Sequence, residues 1–118
     1  MTLKQLVLLA GLTLAVPAAA PVARTLQPAH VTIHDHRFVP RVIHVKVGQE
    51  IVWLNTDQDP HTVTSGNGGT GDDVWKSSPL LPDGKTFTLH LYLPGTYQYF
   101  CKPHQFEESM HGTIVVSR

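Results

Sequence analysis

The chain has 118 residues, the length of a single domain, and its nine Lys and Arg balance its nine Asp and Glu. That balance argues against nucleic acid as a partner, which rewards a clustered basic surface. The single cysteine rules out an internal disulfide.

The first segment reads as an export signal. Lys4 precedes an apolar run from Leu6 to Val16, and small residues follow from Pro17 to Ala23. This is the positive, apolar, small-residue order of a secretory signal peptide. The run is too short to span a membrane comfortably. Residues 1–23 are therefore expected to be removed, with the cut between 19 and 24, leaving a domain over 24–118. No cysteine suited to lipid attachment lies near the cut. No twin arginine precedes the apolar run, so the chain is expected to leave the cytoplasm unfolded. Its expected destination is the periplasm or the exterior. Without Lys4 the domain has eight Lys or Arg against nine acids.

Beyond residue 24 the hydrophobic pattern has the two-residue period of strands. Val31 and Ile33 alternate with Thr32 and His34; Ile43, Val45 and Val47 alternate with Val42, His44 and Lys46. Gly48-Gln49 marks a turn, and "EIVWLN" (Glu50 to Asn55) is an apolar strand. The Gly-rich stretch from Ser65 to about Pro82 reads as a mobile surface loop. "TFTLHLYL" (Thr86 to Leu93) sets Phe87, Leu89, Leu91 and Leu93 on one face, and Pro94-Gly95 turns the chain. "TYQYFC" puts Tyr97, Tyr99 and Cys101 on one face, and "GTIVV" (Gly112 to Val116) closes the domain. The spacing predicts an all-β fold, an antiparallel Greek-key β-sandwich.

The chemistry concentrates in "YFCKPHQFEESMHG", Tyr99 to Gly112. Cys101 and His104 flank a tight turn restricted by Pro103, and Met110 and His111 follow. A thiolate, two imidazoles and a weak thioether are the ligand chemistry of blue copper. The loop offers one imidazole beside the cysteine. His61, in the polar stretch "NTDQDPHTVTSG", is the best second one.

These pieces together resemble the cupredoxins of the plastocyanin and amicyanin group. "FVPRVIHVKVGQEIVWLN", "DPHTV", "PGTYQYFCKPH" and "MHGTIVV" match that family's motifs in order, from about Val31 to Val116. The resemblance implies one type 1 copper ion bound by His61, Cys101, His104 and Met110, with each histidine using Nδ1. It also implies a one-electron carrier cycling between Cu(I) and Cu(II), not an enzyme. Such a carrier is expected to be a monomer that docks transiently with redox proteins near His104, where Pro103 and Phe106 ring the exposed edge. Thr62, where the family commonly has Asn, and loop amides are candidates to hydrogen-bond the Cys101 sulfur. Tyr97 resembles a tyrosine corner, its hydroxyl returning to the backbone.

Two departures from the family pattern matter. Five residues, Gln105 to Ser109, separate His104 from Met110, where plastocyanins have four and amicyanins two. The longer loop brings Gln105, Glu107, Glu108 and His111 into contention for the axial position. Phe100 stands where plastocyanin has Tyr, so the ring remains without its hydroxyl. His34 and His36 are expected to share a strand face, which makes them a candidate second metal site. His44, His90 and His111 read as surface or rim residues. Two other functions draw on the same residues: copper delivery or storage, and a catalytic red-copper-like site with Glu107 or Glu108 as ligand.

Overall fold

The computed structural model describes residues 10–18 and 25–118. Most of the segment expected to be an export signal lies outside the described residues, and residues 10–18 are exposed, without strand or helix. Among the described residues no helix is long and apolar enough to cross a membrane.

The described residues form nine strands: β1 Ala29–Ile33, β2 Phe38–Val39, β3 Val42–Lys46, β4 Glu50–Asn55, β5 Thr64–Asn67, β6 Thr70–Gly71, β7 Thr86–His90, β8 Gly95–Phe100 and β9 His111–Ser117. They make two sheets, ordered β2-β1-β4-β7 and β3-β9-β8-β5-β6. Five of the strand pairings are antiparallel. The two others, β1 with β4 and β3 with β9, run parallel. A tight hairpin cannot join parallel neighbours. The chain instead crosses between sheets after β2 and again after β3, which brings β4 back beside β1.

Alternation along the strands builds the core. Ile43 and Val45 of β3 point inward, as do Ile51, Trp53 and Asn55 of β4, while their neighbours are half-buried or exposed. Each aliphatic side chain fully buried in this way contributes about 1.5–3 kcal/mol. Tyr99 sits at the centre, edge-on to Phe38 at 4.6 Å and to Trp53 at 5.4 Å between ring centroids. Gly112 lies against the Tyr99 ring, and a β-carbon there would overlap it. The Tyr97 hydroxyl donates to the Leu93 carbonyl at 2.7 Å, so the tyrosine corner is present.

Three local expectations are corrected. Strand β7 ends at His90, and Leu93 is exposed rather than on the buried face, because the chain is already turning toward Pro94. The Ser65–Pro82 stretch is not simply a surface loop. It begins in β5 and β6, and Ser65, Trp75, Ser78 and Leu81 are buried. The Trp75 indole donates to the Val63 carbonyl and Val63 N–H donates to Ser78 Oγ, tying this stretch down beside the second sheet. His34 and His36 do not share a strand face. They belong to the turn joining β1 to β2, closed by reciprocal backbone bonds between His34 and Arg37. A two-residue hairpin turn of this kind needs positive φ at both central residues. Asp35 and His36 supply it at 50° and 53°.

Candidate metal centre

The site lies at one end of the sandwich, where three connections meet: the β1–β2 turn, the segment between β4 and β5, and the segment between β8 and β9. The second of these carries His61 and is anchored by Asn55, the buried last residue of β4. Its amide donates to the carbonyls of Asp59 at 2.9 Å and Leu81 at 2.8 Å, and its Oδ1 accepts from Asp57 N–H at 2.9 Å. His61 then exchanges backbone bonds with Leu81, which directs its ring into the sandwich.

The third connection carries Cys101, His104 and Met110. It is a run of tight four-residue turns: His104 N–H bonds the Cys101 carbonyl, Glu107 N–H that of His104, and Met110 N–H that of Glu107. The Cys101 N–H closes the run on the Met110 carbonyl at 3.1 Å. The added length of Gln105–Ser109 is thus wound up, and Met110 returns to Cys101.

Three side chains converge. Cys101 Sγ lies 3.6 Å from His61 Nδ1 and 3.4 Å from His104 Nδ1, and the two Nδ1 atoms are 3.2 Å apart. A point equidistant from all three lies about 2 Å from each, close to the bond length of an imidazole nitrogen to a first-row metal ion. Cys101 and His61 are buried and His104 is half-buried. The donor set, one soft sulfur and two imidazoles, suits copper.

The surroundings set the donors' protonation. His61 Nε2–H donates to Asp57 Oδ2 at 2.9 Å, leaving Nδ1 with a lone pair aimed at the cluster. Burial, together with the neighbouring His104 and His36 rings, outweighs Asp57 and pulls the His61 pKa down, so the ring is a neutral donor at neutral pH. Burial works against ionisation of Asp57. The His36 and Asp35 amides and the His61 ring overcome it and hold that carboxyl below its ordinary value. Burial pushes the Cys101 thiol up, opposed in part by the Thr62 and His104 amides. Thr62 N–H donates to the sulfur at 3.4 Å, and Thr62 Oγ1 accepts from Lys102 N–H at 2.9 Å. Thr62 therefore ties the His61 segment directly to the cysteine.

The sequence of the cupredoxin-like domain family matches residues 5–116. The chain belongs to the cupredoxin family. Amicyanin-alpha of Methylorubrum extorquens is 36% identical over 87 residues, covering 73% of this chain and 69% of its own length. A Cu(I) structure of an amicyanin mutant superposes with TM-score 0.65 at 30% identity, over 76% of this chain and 82% of that one. A purple cupredoxin from Nitrosopumilus maritimus gives TM-score 0.67 at 26% identity, over 75% of this chain and 99% of its own.

This cupredoxin engages its axial alternatives elsewhere. Glu107 reaches His36 Nδ1 at 3.1 Å, and Glu108 is exposed and pairs with Arg41 at 3.5 Å. His111 Nε2–H donates to the Gln105 carbonyl at 2.7 Å, and its ring stacks on Phe100. The Gln105 side chain lies against Gly69. Met110 alone of the five is fully buried within the core. Phe106, by contrast, is 95% exposed beside His104 in sequence.

Asn55 and Asp57 support the site without having been expected there, and His36 has a different role from the one expected. His36 is not half of a surface pair with His34. Its ring packs edge-on against His104 at 4.3 Å and His61 at 5.1 Å. Asp59 holds Nε2 at 2.8 Å while Glu107 holds Nδ1, so both ring nitrogens face carboxylates. The Asp59 hydrogen bond, opposed by desolvation and reinforced by Glu107, raises the His36 pKa. His34 lies apart, against Thr56 and Asp35. In the sequence Asn55 ends the "EIVWLN" motif, and Asp57 stands four residues before His61 in a loop.

Proposed function

We propose that this cupredoxin is a type 1 copper protein that carries single electrons between redox partners in the periplasm or outside the cell. The observation that carries the reading is the convergence of Cys101 Sγ with the His61 and His104 Nδ1 atoms, mutually within 3.6 Å and largely shielded from water. Cys101 as thiolate and the His61 and His104 imidazoles would hold the metal, with the buried Met110 thioether as a weaker donor. When bound there, copper supplies a one-electron Cu(I)/Cu(II) couple whose potential depends on the axial ligand and on hydrogen bonds to the sulfur.

The chain's own residues do the rest. The two sheets and the wound 101–110 segment hold the donors in one arrangement, so little rearrangement accompanies electron transfer. Thr62 N–H lies within hydrogen-bonding distance of the sulfur, where it moderates thiolate donation. The half-buried His104 ring, with Phe106 nearby in the chain, is the face at which a transient partner docks. Redox encounters of this kind use small interfaces.

Addition of Cu(II) to the purified domain should give an intense blue band and a narrow copper hyperfine splitting. A colourless tetragonal signal with exchangeable copper would favour delivery or storage. A red species would favour a carboxylate ligand, which the engagement of Glu107 with His36 and of Glu108 with Arg41 speaks against.

A further inference from the structure

Asp57 occupies an unusual position. Its side chain is only 11% exposed and both carboxylate oxygens are committed. Oδ1 accepts from Asp35 N–H at 2.8 Å; Oδ2 accepts from His36 N–H at 3.0 Å and from His61 Nε2–H at 2.9 Å. Its own N–H is held by Asn55 Oδ1. The carboxylate therefore cannot rotate without breaking its bonds to the β1–β2 turn and to the His61 ring.

The two amides that grip it come from the paired left-handed residues Asp35 and His36. Such a conformation is unfavourable for a non-glycine residue, although Asp and His tolerate it better than most. Hydrogen bonds from amides to an ionised carboxylate are among the stronger ones in proteins and offset that cost. The turn thus presents its amides to Asp57, and Asp57 presents a fixed acceptor to His61.

We propose that Asp57 is a positioning residue of the metal centre: it fixes the His61 ring with the proton on Nε2 and the lone pair on Nδ1, and strengthens Nδ1 as a donor to the oxidised metal. A carboxylate behind a metal-bound imidazole orients the ring and raises its basicity. A buried negative charge acts at short range with little screening. Both effects favour Cu(II) over Cu(I) and so lower the reduction potential. The effect on potential rests on the copper reading above; the effect on the tautomer does not.

The test has two arms. In the metal-free protein, nitrogen NMR of His61 should show the Nε2–H tautomer, and Asp57→Ala should shift it toward a mixture. In the copper-loaded protein, Asp57→Asn keeps the shape and one of the two acceptor oxygens but removes the charge. It should remain blue, weaken Cu(II) binding about 10–100-fold and raise the reduction potential. A metal-free His61 protonated on Nδ1, or an Asp57→Asn protein with unchanged potential and Cu(II) affinity, would overturn the proposal. Should the wild type never turn blue, the copper reading fails while the tautomer arm still decides the role of Asp57.

Discussion

The segment carrying His61 and the segment from Cys101 to Met110 reach the same point by different means. The first is short and irregular, and side chains from elsewhere hold it: Asn55 grips its backbone, and Asp57 links it to the β1–β2 turn. The second is held mainly by its own backbone, through successive four-residue turns from Cys101 to Met110. A chain of local turns tolerates added length, because each extra turn satisfies its own amide and carbonyl groups. A segment held by a few specific side chains has no such tolerance. Substitutions of single side chains should therefore damage the His61 segment more than the exposed part of the 101–110 segment.

The largest effect is on the loop's chemistry rather than its shape. Cys101→Ser should abolish the blue band entirely, read by visible absorption after copper addition; a protein that stayed intensely blue would remove the thiolate from the centre. On the side-chain-held segment, Asn55→Ala leaves two carbonyls and an amide without their partner. It should cost about 2–4 kcal/mol in denaturant unfolding of the metal-free protein, and a loss below about 0.5 kcal/mol would show that the segment is held otherwise. Met110 tests the opposite segment. Met110→Ala removes a fully buried side chain and should cost about 2–5 kcal/mol without copper. Met110→Leu should cost less than about 1.5 kcal/mol while still shifting the reduction potential, which separates packing from ligation.

Smaller still is the contribution of His36, which bridges the two segments through Asp59 and Glu107. Its pKa is raised above 6.5 on folding. The stabilisation by its ion pairs is therefore complete below that value and is lost as pH rises through the higher folded pKa. The stability difference between the metal-free wild type and His36→Gln should be larger at about pH 5.5 than at about pH 8.5. An equal difference at both would mean that the ion pairs contribute nothing measurable. At the small end, Phe106→Ser should change stability by less than about 0.5 kcal/mol, since Phe106 is 95% exposed. It should slow electron exchange with a partner if that face is the docking surface, as stopped-flow kinetics would show.

Much of this was legible before folding. The two-residue alternation of Ile43 and Val45, and of Ile51 and Trp53, located strands because a half-buried strand must alternate. The cluster of His61, Cys101 and His104 was legible because few side chains offer soft sulfur and imidazole lone pairs, and their order along the chain matched a known family. The expected export signal lies mostly outside the described residues. The Ser65–Pro82 stretch was misread because glycine content signals turns but not whether Trp75 and Leu81 between them find a core. His34 and His36 were misread because period alone cannot distinguish a continuing strand from a two-residue turn.

The sequence by itself determined the β-sandwich, its family and the residue types able to hold a metal, since strand period and donor chemistry are local properties. Only the tertiary structure decided which polar residues serve that site. Asp57 meets the amides of Asp35 and His36, and His36 meets Glu107, across separations of 22, 21 and 71 residues. Hydrogen bonds of that reach depend on where the parallel pairings of β1 with β4 and β3 with β9 bring the chain, and no local pattern records it.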